Sequence, residues 1–167
     1  MRAVLIVILA AMGGCATAPL AEMPRRLGPV ASPLSTSVSV SPHSRLVYVS
    51  GTVPDVVDAA ALDGSAKRFG DTEVQTRSVV AKIAAALGEQ GMSLSDVVMM
   101  RVFLVAPAGS ARMDFAGMMR GYRASFGTPT QPNKPARSTM QVAGLVDPGW
   151  LVEIEVTAAR DAGRRGQ

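Results

Sequence analysis

The chain has 167 residues, of which 48% are apolar, 18% charged and only 4% aromatic; that suffices for one domain with a real core and falls short of two ordinary ones. Its single cysteine and single histidine exclude an internal disulfide framework and a Cys/His zinc site made by one subunit, and leave Cys-His or Ser-His-Asp catalysis only if His43 serves. Much of the positive charge behind the net +4 sits in the tails, at Arg2, Arg25, Arg26, Arg164 and Arg165, without the aromatic interleaving of a nucleic-acid surface, so no nucleic-acid partner is expected.

Met1-Arg2 leads into an apolar run, residues 3–12, of signal-peptide length and too short to span a bilayer. It ends in Met12-Gly13-Gly14-Cys15, small residues before a cysteine, as a lipoprotein signal peptidase requires. Residues 1–15 therefore read as a lipoprotein-type signal peptide, with lipid carried on the Cys15 thiol. The expected address is the bacterial cell envelope, facing the periplasm, with the membrane touched through the lipid anchor only. Ala16, standing where Asp would mark inner-membrane retention, points to the outer membrane. An ordinary cleaved signal peptide, or a start codon placed too early ahead of a cytoplasmic protein, are the competing readings. Residues 16–32, rich in Pro and Ala without a period, read as a tether.

The domain itself is expected over residues 33–160, followed by a basic tail at 161–167. Residues 34–40 (LSTSVSV) alternate weakly and 46–50 (LVYVS) form a second short β run, with Ser41-Pro42-His43-Ser44 as the turn of a hairpin between them. That places His43 at the surface. Residues 51–70 have no period and read as a loop. Thr72-Glu73-Val74-Gln75 resembles a capping box; Val79, Ile83 and Leu87 then recur at helical spacing, and Gly91 closes the helix. Residues 97–105 (VVMMRVFLV) read as a buried strand. Ser110 is the expected cap of a second helix carrying Phe115, Met118, Met119, Tyr122 and Phe126, stopped at Gly127. Two last strands, 136–143 and 151–159, are expected to pair across Asp147-Pro148-Gly149. The order β-β-α-β-α-β-β predicts one mixed sheet with both helices on one face. Its other face, apolar in places, then calls for cover from another subunit.

Chemistry concentrates in residues 135–145 (PARSTMQVAGL) and 152–155 (VEIE). Strand alternation puts Arg137, Thr139 and Gln141 on one face and Glu153 with Glu155 on one face. If the two strands pair, an arginine and two carboxylates line one surface. Arginine suits carboxylate recognition because its planar fork donates two parallel hydrogen bonds and stays charged. An Arg–Glu pair on a polar sheet face is the plain structural alternative. No Gly-rich phosphate loop and no G-x-S-x-G elbow occurs.

This segment is similar to the signature of the RidA (YjgF) family: Pro-Ala-Arg-Ser, an apolar residue two places on, a small residue, Leu, a short gap, then an apolar residue, Glu and Ile. Residues 46–51 (LVYVSG), Gln75-Thr76 and 92–98 (MSLSDVV) extend the resemblance over about residues 33–160. The resemblance implies an α+β, chorismate-mutase-like fold assembled as a homotrimer with three clefts between subunits. It implies hydrolysis of enamines and imines, such as 2-aminoacrylate, to 2-keto acids and ammonia, with no metal or organic cofactor. On it, Arg137 binds the substrate carboxylate, the main chain around Thr139 meets the imine nitrogen, Glu153 positions the attacking water, and Leu34, Ser50 and Met119 line the cleft. The chain departs from the family pattern at Leu34 (commonly an aromatic), Thr52 (often Gln), Met119 (a polar Asn) and Thr139 (often Cys). These changes make the cleft more apolar and keep the acid clamp. Altered substrate preference is therefore expected; the alternative is a trimer that holds a small carboxylate or a partner without turnover.

Overall fold

The computed structural model describes residues 24–161; the expected signal segment with Cys15, the first part of the tether and residues 162–167 lie outside the described residues. The elements run β1 (Arg25–Leu27), β2 (Ser37–Ser39), β3 (Ser44–Thr52), α1 (Ala66–Phe69), α2 (Thr72–Glu89), β4 (Val97–Leu104), α3 (Phe115–Arg123), β5 (Ala136–Gln141) and β6 (Val152–Asp161).

Strands β3 to β6 form one mixed sheet in the order β3-β6-β4-β5, antiparallel except for the parallel pair β4-β5. Alternation decides its faces. On β6, Val152, Ile154, Val156 and Ala158 are buried, while Glu153, Glu155 and Thr157 point the other way. On β4, Met100, Val102 and Leu104 are buried and Arg101 is exposed. Helices α2 and α3 cover the buried side: Val79, Val80, Ile83 and Leu87 of α2 and Met118, Met119 and Tyr122 of α3 share one core with those strands. Each fully buried Val, Ile or Leu contributes about 1.5–3 kcal/mol by leaving water. The other sheet face carries Tyr48, Met99, Arg101, Phe103, Met140, Glu153 and Glu155, and none of the described elements covers it.

Helix α2 keeps the expected period, but its cap is Asp71, whose carboxylate accepts from the Val74 N–H at 2.9 Å. Gln75, expected in a capping box, is fully buried instead. Its amide donates to the Gly70 and Gly149 carbonyls at 3.0 Å each, and its oxygen accepts from the Leu151 N–H at 2.7 Å. Gln75 thus ties α2 to the start of β6. The helices cross closely at Gly121, where a Cβ would stand 2.6 Å from the Thr76 Cβ. Gly91 follows α2 with φ +65°, the left-handed conformation that glycine adopts without steric cost.

Several sequence expectations are corrected. Residues 37–39 do not pair with β3; they pair antiparallel with β1, inside the stretch read as a tether. The Arg26 guanidinium holds β1 in place, donating to the Ser95 and Val97 carbonyls at 2.9 and 3.2 Å. Helix α3 starts at Phe115 under an Asp114 cap, while Ser110 serves a turn through the Arg112 carbonyl. Asp161 ends β6 and is not part of a tail. Most consequentially, β5 and β6 are not neighbours, because β4 lies between them. The Asp147-Pro148-Gly149 turn forms, with Asp147 Oδ1 accepting from the Gly149 N–H at 2.7 Å, yet it links strands that never pair. Strand β5, with Ser138, Met140 and Gln141 exposed, has the polarity of an edge.

Candidate functional site

Arg137 lies in register with Met100 of β4, so its side chain shares the helix-covered face. The guanidinium carbon sits 4.4 Å above the Tyr122 ring centroid. One Nη lies 3.1 Å from the Met119 sulfur and the other 4.0 Å from that of Met118. Its Nε is buried without a hydrogen-bond partner, and among the described residues no carboxylate pairs with it. Burial draws the Arg137 pKa down, the Tyr122 phenol opposes this, and nearby Arg123 adds to it; a guanidinium remains charged regardless. Burial also pushes the Tyr122 phenol up to about 12, against the pull of Arg137. A partly desolvated cation resting on an aromatic ring and two thioethers has weak acceptors only. It is prepared for an anion.

Thr139 shares the face of Arg137, and its hydroxyl is likewise buried without a partner. Met119 is at van der Waals reach of the clamp. Leu34 belongs to the segment that runs past the start of β5: the neighbouring Ser35 N–H donates to the Pro135 carbonyl at 3.0 Å and its hydroxyl to the Lys134 carbonyl at 2.6 Å. Leu34 lines a hollow of about 230 Å³ there with Arg26, Asn133 and Lys134.

Glu153 is opposite Phe103 in the β4-β6 register, which puts it on the uncovered sheet face, with Glu155 as expected. Arg137 and Glu153 therefore point to opposite faces of one sheet, and the shared surface of an arginine and two carboxylates does not exist within a chain. Glu155 is paired with Arg101 at 3.3 Å; Glu153 has no ion-pair or hydrogen-bond partner among the described residues. Gly51 makes room for it, since a Cβ there would collide with the Glu153 carboxylate. Ser50, on β3 beside Gly51, lines a shallow hollow of about 160 Å³ with Tyr48, Met99, Arg101 and Glu155. The site residues thus fall into two groups. Arg137, Thr139 and Met119 stand at the β5 edge; Glu153, on β6, and Ser50, on β3, stand two and three strands away, about 10 and 14 Å at the usual strand spacing.

Tyr122 and Met118, which frame the guanidinium, are the residues that sequence reading missed. Both were legible only as part of the apolar stripe of α3. Among the described residues no group of three His, Cys, Asp or Glu side chains is placed to hold a metal, and no helix is long and apolar enough to cross a membrane.

The profile of a family described as endoribonuclease L-PSP matches residues 28–160. A RutC family protein of Pyrococcus abyssi is 30% identical over 140 residues, covering 84% of this chain and 93% of that protein. An uncharacterised Pseudomonas aeruginosa protein of known structure is 31% identical, with a TM-score of 0.52 over 69% of this chain and 83% of its own. A protein of unknown function from the conserved Rid family of Yersinia pestis is 25% identical, with a TM-score of 0.58 over 81% of this chain and 98% of its own.

Proposed function

The chain belongs to the endoribonuclease L-PSP family, which includes the YjgF/RidA proteins, and from that premise we propose that it is an enamine/imine deaminase with an altered substrate preference, acting as a homotrimer. The observation that carries the reading is Arg137: a half-buried guanidinium with an unpartnered Nε and, among the described residues, no carboxylate paired with it. Its natural complement is the carboxylate of a small 2-imino or 2-enamino acid.

The two groups of site residues supply the case for the trimer. A second copy laid against the uncovered sheet face would bring its β5 edge, with Arg137 and Thr139, toward Ser50 and Glu153 of its neighbour. In such a cleft Arg137 holds the substrate carboxylate and the main chain near Thr139 meets the imine nitrogen. Glu153 of the partner subunit takes a proton from water as the water oxygen bonds to the imine carbon. Glu153 of the partner subunit returns that proton to the nitrogen of the resulting carbinolamine and ammonia leaves. The hydroxyl then gives up its proton through the same carboxylate to the departing ammonia as the carbonyl of the 2-keto acid forms. Orientation and one general base suffice, because a protonated imine carbon is already electrophilic. No metal or organic cofactor enters this scheme. The proposal includes export, with Cys15 as the lipid-bearing residue in the cell envelope.

A second reading, a trimer that holds a small carboxylate without turnover, is favoured by the thioethers of Met118 and Met119 against the clamp, where polar groups would aid proton movement. Ammonia release from freshly generated 2-imino acids separates the two. The deaminase reading expects release that Glu153→Gln abolishes while acid binding persists. Acid binding without ammonia from the wild type would establish the binding module instead.

A further inference from the structure

We infer that Tyr122 is the positioning residue of the acid clamp: its ring, fixed from three directions, holds the Arg137 guanidinium in the orientation that a carboxylate needs. The inference rests on the reading of Arg137 as the clamp and adds the residue that aims it.

Three contacts define Tyr122. Its ring is stacked on Phe126, with centroids 4.8 Å apart and planes within 8°. Its hydroxyl donates to the Pro33 carbonyl at 2.9 Å. The Arg137 guanidinium lies over the ring at 4.4 Å. Phe126 and Arg137 both bear on the ring, and the hydroxyl bond stops it from sliding past them. Tyr122 is 1% exposed, and burial raises its pKa to about 12, so the hydroxyl remains a donor and the ring neutral throughout the working pH range.

The rest of the surroundings makes this platform necessary. An arginine in a protein is ordinarily oriented by carboxylates or carbonyls, as Arg26 is by Ser95 and Val97 and Arg160 by Asp96. Among the described residues Arg137 has two sulfurs as its acceptors, and these accept weakly. Without the ring its long side chain would regain rotamers, and ligand binding would have to freeze them. The same phenol anchors Pro33, and with it the segment that carries Leu34, to α3, whose side chains frame the clamp.

The test is made on the full-length trimer-competent protein, with nitrogen-labelled arginine spectra to read Arg137 directly and calorimetric titration of pyruvate to read the clamp. In the wild type the Arg137 Nε–H signal should be shifted by the Tyr122 ring current and protected from exchange. Tyr122→Leu should return that signal to the position of a solvated arginine and weaken pyruvate binding by roughly 3- to 30-fold. Tyr122→Phe, which keeps the ring, should retain the shifted signal and most of the affinity. In an Arg137→Ala background Tyr122→Leu should cost no further affinity, which a merely structural role would not predict. Should Tyr122→Leu fail to fold, Phe126→Leu removes the support behind the ring and should move the Arg137 signal part of the way to the solvated position. An unmoved signal in the folded variant, or a lost signal with unchanged affinity, overturns the inference while leaving the clamp intact. Wild-type protein that binds no pyruvate-like acid, or an Arg137→Ala variant that binds like wild type, overturns the clamp reading itself and the inference with it.

Discussion

Replacing Gln75 with Leu should be among the most damaging single changes outside the site, for reasons that can be worked through bond by bond. The side chain is fully buried and makes three hydrogen bonds to main chain, to Gly70, Gly149 and Leu151. Leucine fills a similar volume and leaves one N–H and two carbonyls without their partner. A buried polar group left unsatisfied costs about 1–3 kcal/mol. The carbonyls retain a second lone pair and some access to water through a relaxed loop, and leucine adds apolar burial, so the net loss should be about 3–5 kcal/mol. For a domain of this size that lowers the melting temperature by roughly 10–15 °C. Thermal unfolding followed by circular dichroism, with urea denaturation beside it, reads both quantities. Gln75→Glu supplies an internal control. The introduced carboxyl faces two carbonyls in a buried place, so its folded-state pKa lies above the ordinary glutamate value near 4.3. A raised folded pKa means that stability is present at low pH and lost as pH rises through that value; the Glu variant should therefore approach wild type near pH 4 and fall behind it at pH 8. A Leu variant within about 1 kcal/mol of wild type, or a Glu variant indifferent to pH, would refute the account of this junction.

Gly121→Ala should destabilise by about 1–3 kcal/mol through overpacking, because the new Cβ meets the Thr76 side chain and the Glu73 carbonyl where the helices cross; a paired Thr76→Ser change should recover part of the loss in the same melting assay. Arg137→Ala should weaken acid binding or kcat/KM by roughly 30- to several-thousand-fold, and Arg137→Lys should restore only part, as measured by titration and initial rates, because an ammonium cannot reproduce the fork. Burial pushes the Asp96 carboxyl up, but hydrogen bonds from Arg160 and from the Ser93 main chain, with the Arg160 charge, hold it below its ordinary range overall. A depressed carboxylate stabilises the fold above its unfolded pKa and ceases to do so as pH falls through the folded one. The advantage of wild type over Arg160→Met, about 1–2 kcal/mol at neutral pH, should therefore shrink as urea titrations are taken below about pH 4.

What could be read from the sequence follows the range of the forces involved. Helix α2 was legible because Val79, Ile83 and Leu87 repeat at a local period, and the alternation of residues 152–156 correctly placed Glu153 and Glu155 together. Which strands adjoin was not legible in the same way. Insertion of β4 between β5 and β6 depends on long-range pairing, and the tempting Asp147-Pro148-Gly149 turn is equally compatible with a crossover. Strand β1 lies in a stretch with no alternation and owes its place to the Arg26 side chain reaching carbonyls some seventy residues away. The site shows the same division. Arg137 stood out by its motif, whereas its surroundings, Tyr122 below and the sulfurs of Met118 and Met119 beside it, arise from the docking of α3 on β5. The motif also suggested an arginine and a glutamate side by side, and the observed strand order separates them onto opposite faces.

That separation makes the central claim directly testable: each cleft takes Arg137 from one subunit and Glu153 from the next. Arg137→Ala and Glu153→Gln proteins, each inactive alone, are unfolded together, refolded into mixed trimers and assayed for ammonia release from 2-imino acids. Random assembly in a ring places an intact Arg137 beside an intact Glu153 in about one cleft in four, so the mixture should recover roughly a quarter of wild-type activity. Mixed trimers that form and stay inactive would contradict a site shared between subunits.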